Sequence, residues 1–157
     1  MRETNFNDGA EMNGADFSGV DFSDAKLVLV TADNATFDGA KFAGAYLGYS
    51  SFLDGNFNNT AMDKVVLDTS RFDSGTFHHA SFRGAKLIEP CFEKAELHFA
   101  DFSDLDVTFT VYLEKASLLG TKLPEGADIE VDTGLGYNPK VGAASLAGKR
   151  RKRTRKP

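Results

Sequence analysis

A single cysteine, three histidines, four prolines and no tryptophan are what 157 residues hold of those types. The lone Cys91 excludes an internal disulfide framework and agrees with a reducing compartment. No apolar run reaches the ~18 residues of a membrane helix, and Arg2, Glu3, Asn5, Asn7 and Asp8 crowd the first eight positions. The expectation is a chain without signal peptide or membrane span, cytoplasmic, or nuclear in a eukaryotic source. The triplets Asn34-Ala35-Thr36 and Asn58-Asn59-Thr60 then read as chance matches to a glycosylation signal. A phosphate-binding glycine loop, a nucleophile motif and zinc-type ligand spacing are also missing. Paired carboxylates such as Asp21 with Asp101 and Asp24 with Asp104 fall on outward positions of a convex surface, not in a cleft. The reading is a non-enzyme without cofactor or resident metal.

What is present is a period. From Met12 to Val107 every fifth residue is apolar, 20 in succession, and 11 of the 14 phenylalanines stand in that series. Two positions earlier sits a small residue in most units: Ala15, Ala25, Ala35, Ala40, Ala45, Ser50, Gly55, Ala80, Ala85, Ala95, Ala100. A period of five matches neither helix nor strand, so the units must bury their large residues by stacking on one another as a solenoid. Every fourth unit is aliphatic (Leu27, Leu47, Leu67, Leu87, Val107), whereas the other three series are mostly Phe. Four units therefore make one coil, and the coil has four sides.

Units such as Ala15-Asp16-Phe17-Ser18-Gly19 and Ala100-Asp101-Phe102-Ser103-Asp104 resemble the A-(D/N)-L-x-x pattern of the pentapeptide-repeat family. The resemblance spans roughly residues 4 to 123. It implies an all-β fold, a right-handed quadrilateral β-helix with Phe or Leu inward, and leaves function open, since some members mimic DNA and bind type II topoisomerases while many have no known partner.

The pattern places domain limits. Residues 1–123 are the β-helix of about six coils, 124–148 an irregular Gly-rich cap and linker with one strand at Ile129-Glu130-Val131, and 149–157 a disordered basic tail. Phe6 lies six residues before Met12, so Gly9 reads as an insertion and Phe6 as part of an N-terminal cap. After Val107 the phase slips by one and Leu113, Leu118 and Leu123 continue it. Gly14, Gly19, Gly39, Gly44 and Gly84, two residues after a central residue, suit corners of positive φ.

Charge is segregated. Seven of the 18 basic residues (Lys149, Arg150, Arg151, Lys152, Arg153, Arg155, Lys156) lie in the tail, so residues 1–148 hold 11 basic against 23 acidic. Residues 11–123 carry a net −8 over roughly 29 Å of rod, a dilute version of the charge of duplex DNA. The tail is suited to salt-dependent nucleic-acid binding or to targeting.

Two local constellations stand out. His78 and His98, one coil apart in the column Ser18, Asp38, Asn58, His78, His98, read as a surface polar column with too few ligands for a metal. The outward positions of the Leu side hold Val28, Leu29, Tyr46, Tyr49, Val66, Ile88 and Phe109, whereas the other three sides hold only Leu53 and Phe99 between residues 11 and 109. Such a strip marks a contact surface, for a protein partner, a second copy in a homodimer, or residues 124–148 folding back. The function expected is a protein–protein interaction scaffold. The alternatives are a DNA-mimicking binder of gyrase-type topoisomerase and nucleic-acid association through the tail.

Overall fold

The computed structural model describes residues 4–6, 9–107, 111–124, 128–132 and 143–147. Each outward residue ahead of a central one bridges in parallel to its equivalent one coil later, as in Glu11 to Thr31 to Ser51 to Arg71 to Cys91. The chain thus winds as a right-handed quadrilateral β-helix. The two phase slips are where the sequence places them: Phe6 pairs with Leu27 and Cys91 with Tyr112, each one position beyond the regular spacing.

Corners repeat one geometry. On three sides the N–H of the small residue donates to the carbonyl of the preceding central residue, as in Val20 to Phe17 at 3.0 Å and Ala25 to Phe22 at 3.0 Å. The residue two after the centre has positive φ, as at Gly19 (67°), Asp24 (59°) and Asn34 (58°), which together define type II turns. The amide between them is left out of the coil-to-coil ladder and must find a side chain. Asp16 Oδ1 accepts it from Ser18 within one unit (2.9 Å), and Asn13 Oδ1 accepts it from Asp33 in the next coil (2.8 Å). The polar letters of the repeat are therefore acceptors for these orphan donors.

The Leu side is built differently. Here the parallel sheet lengthens into true strands, β1 (Asn5–Phe6), β2 (Lys26–Val28), β3 (Tyr46–Gly48), β4 (Val66–Asp68), β5 (Lys86–Ile88) and β6 (Asp106–Val107), stacked in that order. At the corner that follows these strands, hydroxyls replace the turn bond. Val30 N–H donates to Ser50 Oγ at 3.0 Å and Ser50 N–H to Ser70 Oγ at 3.2 Å, while the hydroxyls donate back to the carbonyls of Leu27, Gly48 and Leu47. Ser50 and Ser70 are buried without an unmet bond. One coil further on the position is Pro90, which has no N–H to satisfy.

Inside, the rings stack along each side and meet edge to face between sides. Phe17, Phe37, Phe57 and Phe77 form one stack with centroids 5.3, 4.7 and 4.9 Å apart. Phe57 meets Phe72 of the neighbouring column at 5.5 Å and 77°. Both arrangements suit the aromatic quadrupole, and each buried ring contributes about 1.5–3 kcal/mol through area alone. The small position is small for a steric reason: a Cβ on Gly55 would stand 2.7 Å from the Phe57 ring.

The last coil ends in a second sheet. β7 (Val111–Leu113) pairs antiparallel with β9 (Ala143–Ala147), which pairs antiparallel with β8 (Asp128–Asp132). Val111 takes the buried small position two residues before Leu113. The strand expected at 129–131 is present, but 143–147, read as irregular linker, is a strand as well. Pairing to β7 satisfies the backbone edge that the final coil would otherwise leave open.

Candidate partner-binding surface

Three outward columns run down the Leu side, in the strand register Lys26, Tyr46, Val66, Lys86 and Val28, Gly48, Asp68, Ile88, with Leu29, Tyr49, Thr69 and Glu89 at the corner beside them. The expected strip is thus densest over the coils of β2, β3 and β4. Lys26 and Lys86 are its charged ends in one column, and Asp68 separates Ile88 from Val28 in the next. Val28, Tyr46, Val66 and Ile88 are half-buried against their neighbours, whereas Leu29 and Tyr49 are 55% and 57% exposed. Phe109 and the basic tail, Lys149 to Lys156, lie outside the described residues.

Tyr46 is the most constrained member. Its ring lies over Gly48, and its hydroxyl donates to Asp68 Oδ2 on the next coil at 2.7 Å. That bond to the carboxylate, with burial adding to it, pushes the phenol up to about 12. Leu29 and Tyr49 are constrained in another way, holding φ of 58° and 52° at corners where glycine, asparagine or aspartate sit with less strain.

β9 pairs with β7, and β8 pairs with β9. Through β7 these two strands form a sheet with the last coil, while residues 125–127 and 133–142 of the segment expected to fold back over the Leu side lie outside the described residues. A second group of exposed apolar residues appears at that end: Phe99 (53%), Tyr112 (50%) and Leu119 (64%). Phe99 stacks on His79 at 5.2 Å and covers Gly120. Leu119 and Tyr112 escape a reading limited to the unbroken ladder because they follow the second phase slip.

The histidine column forms as expected, with the rings of His78 and His98 parallel and 4.8 Å apart. Spacing does not reveal their company. Glu96 Oε2 lies 3.0 Å from His78 Nε2, and Ser117 Oγ lies 2.7 Å from His98 Nε2. Cys91 is half-buried beside Asp73, which holds Arg71 in a two-nitrogen fork at 3.0 and 2.5 Å. Burial first, then the hydrogen bond to Asp73, pushes its thiol up to about 11, the reverse of what an activated nucleophile needs.

A family model described as pentapeptide repeats matches residues 1–31 and 15–52, with eight copies of the repeat. Several solved structures are similar to the chain. A pentapeptide repeat protein from the Arabidopsis thaliana thylakoid lumen is 22% identical, with 61% of this chain and 70% of that one covered and a TM-score of 0.46. One from the cyanobacterium Cyanothece 51142 is 15% identical over 72% and 86% of the two chains, with a TM-score of 0.39. A trypsin-treated variant of QnrB1, a plasmid-mediated fluoroquinolone resistance protein, is 17% identical over 77% and 72%, with a TM-score of 0.46. No curated protein matches the sequence. A five-residue unit builds one side of a square coil and repeats from Met12 onward, and over residues 1–52 the chain matches the family model of pentapeptide repeats.

Proposed function

We propose that the protein is a non-enzymatic interaction scaffold whose Leu side, over the coils of β2, β3 and β4, is the contact surface for another protein. The observation that carries this reading is the pair Leu29 and Tyr49, each exposed and each in the left-handed region. A large apolar side chain at such a corner costs stability twice, in backbone strain and in apolar surface left to water. Buried contact with a partner offsets the second cost. The interior offers no competing site, since stacked rings fill the described coils.

The double variant Leu29→Asn with Tyr49→Asn separates binding from folding, because asparagine accepts this backbone conformation. It is expected to melt at or above the wild type. It is also expected to lose association, read by sedimentation velocity for a second copy and by co-purification for a different protein. A variant that melts higher and keeps every association of the wild type rules out this strip as the contact.

A topoisomerase partner is the second reading, favoured by exposed carboxylates at corners, Asp24, Asp54 and Asp104, on a rod of net negative charge. It ranks second because cations neutralise part of that surface in the later coils, through Arg71 with Asp73, Arg83 with Asp104, Lys94 with Glu93 and Lys122 with Asp101. Under this reading micromolar protein inhibits or protects gyrase in a supercoiling assay, and no effect with or without residues 149–157 removes it.

A further inference from the structure

We propose that His78, Glu96 and His98 form a binding site for a divalent transition metal such as Zn²⁺ on the outside of the coil side that carries Phe77 and Leu97. One ligand atom from each of the three lies within 4.8 Å of the others. One pair, His78 Nε2 and Glu96 Oε2, is 3.0 Å apart. Ligands about 2.0–2.1 Å from a tetrahedral zinc ion stand roughly 3.3–3.5 Å from each other, so the His78–Glu96 pair is already near ligand spacing and the separations of up to 4.8 Å close as the side chains turn. Two imidazoles and a carboxylate, with a coordination position left for water, are a donor set that zinc takes readily.

The winding of the chain makes the site. Equivalent positions of successive coils share a column, which stacks His98 under His78. A position two short of the next equivalent lies diagonally across the same surface, which brings Glu96 to His78. Earlier coils carry Asp38 with Asn56 and Asn58 with Thr76 in that diagonal relation. At His78, Glu96 and His98, ligand types with high affinity for zinc therefore converge across the joint between two successive coils. Ser117 repeats the diagonal toward His98, where its hydroxyl can accept the Nε2 proton and leave the other ring nitrogen as ligand.

The rings now lie face to face, 8° from parallel, so their in-plane lone pairs do not yet meet. Metal binding replaces this stack with a convergent arrangement, for which the half-buried surface positions of His78 and His98 leave room. The ion then ties one coil to the next.

The test is calorimetric titration of Zn²⁺ into the tag-free full chain in a non-coordinating buffer. One saturable equivalent is expected, with a zinc-dependent rise in melting temperature. Glu96→Gln and His98→Ala are each expected to weaken binding at least tenfold, the range seen when a ligand or its supporting shell is lost. His79→Ala and Cys91→Ser, neighbours outside the triad, are expected to bind as the wild type does. Proton resonances of His78 and His98 shift on zinc addition and those of His79 do not. Absence of saturable uptake at millimolar zinc overturns the site, as does uptake that survives His98→Ala or is abolished by Cys91→Ser. Circular dichroism melts of each variant in the absence of zinc separate lost ligands from lost fold.

Discussion

Tyr46 occupies the space that a side chain on Gly48 would need: a Cβ built on Gly48 stands 2.5 Å from Tyr46 Cε1 and 2.9 Å from Cζ. Glycine at 48 is thus what lets the ring lie down across its own strand and reach Asp68. Gly48→Ala is expected to swing the ring outward and break that hydrogen bond, at a net cost of about 1 kcal/mol. Spectrophotometric titration checks it, since the phenol held up at about 12 should fall toward 10.0. A titration curve identical to the wild type's would mean that the ring does not depend on the glycine.

Phe57 is fully buried in the middle of its stack, between Phe37 and Phe77 and edge-on to Phe52 and Phe72. Neighbouring coils on both sides keep their hydrogen-bonded spacing, so the site has little freedom to collapse. Phe57→Ala should therefore cost about 3–5 kcal/mol in denaturant unfolding. A loss below ~1 kcal/mol is incompatible with an inward ring at this position.

Cys91 should be a slow thiol. With the thiol near 11 in place of 9.0, the thiolate fraction at pH 8 falls about a hundredfold, and the higher nucleophilicity of a more basic thiolate recovers part of it. Alkylation by iodoacetamide is expected to run roughly tenfold slower than for an unhindered cysteine. The linkage has a definite sign: folding favours the neutral thiol, so this contribution to stability is complete below pH 9 and is lost as pH rises from 9.0 to about 11. Alkylation as fast as that of a short peptide would show that Asp73 and burial do not protect the sulfur.

The period of five and the four-unit coil are legible in the sequence because each unit repeats the same burial problem, so the solution is written many times over. Both slips are legible for the same reason, as interruptions of a regular signal. β9 is not, because an antiparallel partner for β7 has no period and its residues, Ala-Ala-Ser-Leu-Ala, have no strong strand pattern. The Ser50 and Ser70 relay is hidden too, since serine at the small position satisfies the size rule whether or not its hydroxyl is used. At the candidate surface, sequence spacing finds the side of the rod but not the tilt of Tyr46 over Gly48 or the interruption at Asp68. Glu96 beside His78 is missed because a diagonal neighbour on the next coil shares neither column nor phase.

Uniform winding between the two slips has a consequence for how such a chain changes length. Every joint between adjacent coils of that stretch is made by the same backbone bonds at the same register. Duplicating or deleting one whole coil leaves each remaining joint as it was, whereas a change that misses a whole coil by a single position has to be taken up within one coil before the columns resume, as they do where Cys91 pairs with Tyr112 and Glu96 with Ser117. The molecule is in this sense counted and not measured: its length, its charge and the reach of its Leu side vary in whole steps, each step about one strand spacing of 4.8 Å.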